Sequence, residues 1–194
     1  MRNSSDVPME DAPVVRALFD DTRWAWVWLI VRLYVGWQWF SEGIEKAQSP
    51  AWTGSHAGSF LTMWVTKALA KTGGPHPDVQ WWYAAFLKSV VLPHAAAWSW
   101  IVTCGETLVG LGLLLGLFTG IAAFFGTVMN GSYLLAGTVS MNPILFAGAS
   151  LLVLAWRTAG WFGLDRWVLP WLGTPWQPGP WPAEIRTALH STRT

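Results

Sequence analysis

Apolar residues crowd into four stretches of this 194-residue chain, and the polar residues inside those stretches are few enough to name. The most continuous runs from Trp98 to Gly120, where Ser99, Thr103, Glu106, Thr107 and Thr119 interrupt an apolar and glycine background. A spanning helix needs about 20 apolar residues at roughly 1.5 Å rise each, so the pattern predicts spans at about 24–43, 96–117, 120–140 and 142–160. The expected fold is all-α: an integral membrane four-helix bundle over residues 24–172, after a polar tail (1–23) and before a proline-rich tail (173–194).

Between the first two spans, Phe60, Leu61, Trp64, Val65, Ala68 and Leu69 recur at helical spacing, and Val79 to Leu92 forms a second such piece. Both are too short or too polar to cross, and they read as interfacial helices forming a lid over one mouth. Pro93 would lead from the lid into the central span. Around Val14 to Phe19 the chain reads equally as a short amphipathic surface helix or as an unstructured tail. The N-terminus lacks the pattern of a signal peptide.

Helical geometry assigns faces. In the first span Arg32, Gly36, Trp39, Gly43 and Lys46 fall within about 40° of one line, which marks the bundle face, while Trp26, Trp28 and Trp37 lie off it and face lipid. Gly112, Gly116 and Gly120 predict a close-packing groove in the central span. In the third span Gly126, Asn130, Tyr133 and Gly137 share a face. Asn142 and Pro143 suit the start of the fourth, and Asp165 with Arg166 is expected among lipid headgroups.

Composition agrees with a membrane location: the chain is 53% hydrophobic and 12% charged, and many of its 17 tryptophans bunch at apolar ends, where indole rings favour the interface. A net charge of +1 without a basic run speaks against nucleic acid as partner. The lone Cys104 excludes an intrachain dithiol, and it reads better as a small hydrophobe than as a reactive thiol. No Cys/His pattern suggests a metal, and no His pair within the spans suggests haem. Lys and Arg near the span ends balance, and only the total including Arg186 and Arg193 leans toward cytoplasmic termini.

Two charges sit deep. Arg32 lies eleven residues before Gly43 and Glu106 twelve after His94, which puts each roughly 16 to 18 Å from the lid side and predicts that they meet. Mutual neutralisation would explain both completely. The functional reading adds Asn130 and Tyr133, making a polar pocket where a proton passes to or from a bound small molecule. Glu42, Glu45 and Lys46 read as a cluster at the mouth, more simply solvated than functional. His94 either caps a helix or relays protons and contacts a quinone carbonyl.

The ordered segments RLYVGWQWFSEGIEKAQSP, CGETLVGLGLLLGLFTGIAAFFG, MNGSYLLAGTVSMNP and GLDRWVLPWL resemble the DoxX/DoxD family of four-helix membrane proteins, which includes the large subunit of thiosulfate:quinone oxidoreductase. The family pattern maps onto Arg32, Gly43, Lys46, Gly105, Glu106, Asn130, Ala136, Gly137, Thr138, Asn142 and Pro143. The resemblance implies a quinone-linked redox subunit of the cell membrane, with Arg32, Glu106 and Asn130 as catalytic residues and Trp39, Lys46, His94 and Tyr133 contacting a quinone or small anion. It also implies partner subunits. The alternative is a non-catalytic accessory subunit packed within a larger respiratory or photosynthetic complex.

Overall fold

A computed structural model describes residues 12–173, whose regular elements are all helices, without a strand among them. Helix α1 spans Pro13–Asp20, α2 Ala25–Gln48, α3 Ser59–Leu69, α4 Trp81–Phe86, α5 Ala95–Leu115, α6 Thr119–Leu135, α7 Asn142–Leu154, α8 Trp156–Ala159 and α9 Asp165–Trp171. The tail expected over 173–194 and the first eleven residues lie outside the described part, apart from Gly173.

Helix ends follow local chemistry. Helix α2 stops at Ser49, which is extended (ψ 121°) because the following Pro50 clashes with a helical predecessor. Helix α5 stops at Gly116, whose left-handed φ of 62° lets Leu117 N–H reach back to Gly112 O at 2.9 Å and satisfy an end carbonyl. Helix α7 carries Pro143 in its first turn, where the missing N–H has no intrahelical partner to lose.

Helices α2, α5, α6 and α7 close a cycle in which each packs on the next and α7 returns to α2. The α2–α5 seam is antiparallel and tight. A Cβ on Gly43 would stand 2.6 Å from Thr107 N, one on Gly36 would stand 2.9 Å from Leu113 Cβ, and one on Gly110 would strike the Phe40 backbone. Trp28, Val35, Trp39, Val109, Leu113, Leu145 and Leu152 fill the space between the four helices. A second apolar cluster, with Leu61, Val65, Tyr83 and Leu87, seats α3 against α4 and the turn that follows it.

Several expectations change. Val79 to Leu92 is not a separate interfacial piece: α4, a π turn at Leu87–Val91 and a 3-10 turn at Leu92–His94 run into α5 as one 35-residue helix, Trp81–Leu115. The two irregular turns reroute the hydrogen bonds that Pro93 cannot make. Among the described residues this is the helix long and apolar enough to cross a membrane; α7, at 13 residues, is shorter. Trp28 does not face lipid. It is 3% exposed because α1 folds over it, with the Trp28 indole N–H donating to Leu18 O at 2.7 Å and the Phe19 ring 5.2 Å away. The residues around Val14 to Phe19 are therefore helical and docked on the bundle. The Gly112, Gly116, Gly120 series is not one groove either, since Gly116 ends α5, Gly112 meets Ala122 and Gly120 meets Trp156.

Candidate functional site

Glu106 projects from the middle of α5 into the bundle and is 2% exposed. Its charge is not met by Arg32. Lys46, on the last turn of α2, places Nζ 2.9 Å from Glu106 Oε2 and 2.8 Å from Glu42 Oε2. From α6, the Tyr133 hydroxyl donates to Glu106 Oε1 at 2.7 Å. Three elements thus converge on one carboxylate. The geometry follows from helical spacing: Glu42 and Lys46 are four apart on α2 and share a face, and the antiparallel seam that sets Gly43 against Thr107 carries Lys46 to the level of Glu106.

These groups line a cavity of about 470 Å³ at the Ser49 end of α2. Glu42, Glu45 and Trp52 frame its opening, Leu61 and Trp64 of α3 cover it, and Asn130, Thr138 and Asn142 form the far wall. The Tyr133 ring stands between Trp39 and Trp64, with centroids 6.2 Å from each. Lys46 also lies over the Trp52 ring, 5.3 Å from its centroid, a favourable place for an ammonium. Two lining groups are buried without a hydrogen-bond partner in the protein: the Trp39 indole N–H, and the Asn130 amide at both its nitrogen and its oxygen. Buried polar atoms are paired as a rule. These atoms have no surface open to the cavity: they lie behind its lining, and Trp39 Nε1 faces the Gly126 position on α6.

The expected Arg32–Glu106 pair does not form. Arg32, 1% exposed, donates from Nη1 to Leu113 O at 2.8 Å and from Nη2 to Phe162 O at 3.0 Å, at the other end of the seam. An expected depth that sets Gly43 level with His94 misplaces the register: Gly43 packs against Thr107, which sets Arg32 beside the α5 terminus. Asp165 is the acid near it. Expected among headgroups, Asp165 is instead fully buried, accepting from Phe118 N at 2.6 Å and Thr119 N at 2.9 Å. Arg32 and Asp165 fasten the α5–α6 turn to the segment before α9.

Of the sequence candidates, Glu106, Asn130, Trp39, Lys46 and Tyr133 come together around the cavity. Arg32 does not, and neither does His94, which is exposed at the start of α5 without a side-chain capping bond. The mouth cluster is more than a solvated set, because Lys46 reaches inward from it. Cys104 is exposed, not an interior hydrophobe.

The fold and site define a helical-bundle protein with a carboxylate, an ammonium and a phenol bonded in series inside a polar cavity. Residues 27–175 match the family model described as TQO small subunit DoxD, TQO being thiosulfate:quinone oxidoreductase, and the chain belongs to this family. It is a DoxD-like membrane subunit. The description names the small subunit, where the resemblance had pointed to the large one. No curated protein and no protein of solved structure matches the chain.

Proposed function

We propose that this chain is a multi-pass membrane subunit of a quinone-linked oxidoreductase of the thiosulfate:quinone type, whose cavity takes a quinone headgroup. The observation that carries the reading is the Lys46–Glu106–Tyr133 series on the cavity wall. Lys46 Nζ carries three N–H groups and places two on Glu42 and Glu106, which leaves one suited to a carbonyl oxygen, so the residues present fit the group. A quinone bound there supplies an acceptor of electrons that also takes up protons.

The chain's own residues hold and move protons. Tyr133 keeps its phenolic proton on Glu106 Oε1, at the cavity surface. Lys46 bridges Glu106 to Glu42, which is 58% exposed, so bonded groups join the cavity floor to the outside. Exclusion of water by Trp52, Trp64 and Trp39 strengthens these contacts. Arg32 acts at a distance from the cavity, as a fastening of the bundle.

Membrane crossing by α2, α5, α6 and the α7–α8 pair is part of the reading. It is supported by the large apolar side chains left exposed around the bundle, among them Ile30, Leu108, Ile121, Phe124, Phe125 and Leu154, a surface too extensive for contact with water. Of the charges of α2 that lower its hydropathy, Arg32 is buried, Lys46 and Glu42 are paired, and Glu45 is exposed near the Ser49 end of the helix. The family description names a subunit, which implies protein partners.

The test is purification in mild detergent with whatever subunits accompany the chain, followed by assay of thiosulfate-dependent quinone reduction. Glu106→Gln should lower turnover about 100-fold or more while quinone is still retained. Full turnover in Glu106→Gln, or a complex that neither retains nor reduces any quinone, would overturn the reading.

A further inference from the structure

We infer that the apolar cleft running along α5 and α6 seats the isoprenoid tail of the ligand, so that one amphiphile lies across two adjoining chambers; this rests on the quinone reading above. The cleft encloses about 750 Å³, more than the polar cavity, and is bounded by α4, α5 and α6 with part of α3. The two chambers share Leu61, Trp64, Val102 and Tyr133. Tyr133 is thus a post at the junction, with its hydroxyl on Glu106 and its ring forming a wall of both spaces.

The chemistry of the two chambers differs as the halves of a prenylated quinone differ. The polar chamber offers an ammonium, carboxylates and a phenol. The cleft offers hydrocarbon, and its hydroxyls are already committed: Tyr83 donates to Ser132 O at 2.8 Å and Ser132 to Val128 O at 3.0 Å. Beyond these hydroxyls and that of Tyr133, the polar side-chain atoms of the cleft are the indole nitrogens of Trp64 and Trp98. A bilayer acyl chain or a partner helix would fill the cleft equally well as hydrocarbon, but neither would also place a polar ring in the adjoining chamber. Gly105 deepens the cleft: a Cβ at that position would meet only Met129 side-chain atoms, at 3.1 and 3.2 Å. Val128, 49% exposed, stands on the rim.

The experiment measures Kd, on the purified full chain with its accompanying subunits, for a benzoquinone and a naphthoquinone headgroup, each with and without a decyl tail. The quantity read is the tailed-to-tailless affinity ratio, compared between proteins so that partition of the tail into detergent cancels. For the headgroup that binds, Gly105→Leu and Val128→Trp should each reduce that ratio about tenfold or more and leave the tailless Kd within about twofold, which also reports intact folding. Should Gly105→Leu fail to fold, Val128→Trp decides alone, since its side chain lies at the surface. An unchanged ratio overturns the tail assignment and leaves the headgroup reading standing. If no quinone of either length binds the wild type, the headgroup reading falls and this inference with it.

Discussion

Glu106 is tolerable inside the bundle because Lys46 meets its charge, while Lys46 is also held by Glu42. Removing one partner of a buried ion pair strands the second charge, at a cost of about 3–5 kcal/mol, whereas replacing both with neutral groups of similar size is often harmless. Lys46→Met should therefore lower the melting temperature in detergent markedly, and the double variant Lys46→Met with Glu106→Gln should recover most of the loss while remaining inactive. A double variant no more stable than Lys46→Met would mean that the pair is not what holds Glu106. Tyr133→Phe removes one charge-assisted hydrogen bond to the same carboxylate, worth about 1.5–3 kcal/mol. It should retain the fold and lose turnover. Arg32 gives a contrast, because Arg32→Met leaves the Leu113 and Phe162 carbonyls without their donors and should act on stability without changing quinone affinity in the protein that remains folded.

At the level of elements, the α2–α5 seam sets which charges meet. Gly110 touches the Phe40 backbone, which cannot rotate aside as a flexible side chain can. Gly110→Ala should then cost roughly 1–3 kcal/mol or more from overpacking. Gly73, with nothing within 4 Å and no positive φ, is the matched control: Gly73→Ala should be neutral or slightly stabilising through the unfolded chain. Chemical denaturation of the two variants side by side separates seam packing from loss of glycine flexibility. Much of this seam was legible beforehand. Period-3.6 spacing alone puts Arg32, Gly36, Trp39, Gly43 and Lys46 on the face that packs against α5, and Glu106 inside. What spacing does not fix is the axial register between two helices. Setting Gly43 level with His94, where it meets Thr107, misplaces the register by 13 residues, about 20 Å, and pairs Glu106 with Arg32 in place of Lys46. The Ser49-Pro50 stop is a cue to five of those residues only; the rest follows from α4 continuing α5 beyond His94. The burial of Asp165 had no cue at all, since its partners are backbone amides of a turn 46 and 47 residues away, and backbone groups carry no sequence signature.

Across the whole molecule, two buried polar knots divide the labour. At one end Arg32 and Asp165 tie the α5–α6 turn to the start of α9, and the hydrogen bonds of both side chains run to backbone, which fixes shape. At the other end the bonds run between side chains and surround a cavity, which leaves groups able to exchange protons. Both knots need the hydrocarbon environment proposed for the helices between them, and the lone cysteine offers a direct gauge of it. Cys104 is exposed on α5, nine residues from its start and eleven from its end, about 14 to 17 Å from either terminus and so near the centre of a bilayer core about 30 Å thick. A nitroxide attached to Cys104 in lipid vesicles should collide readily with dissolved oxygen, which concentrates in hydrocarbon, and hardly at all with a water-soluble nickel chelate. The same label at Ser55→Cys in a Cys104→Ser background, on the exposed loop before α3, should show the opposite preference. Free collision of the nickel chelate with Cys104 would place α5 in water and remove the membrane-crossing reading, and with it the reason for the apolar cleft to hold a lipid-soluble tail.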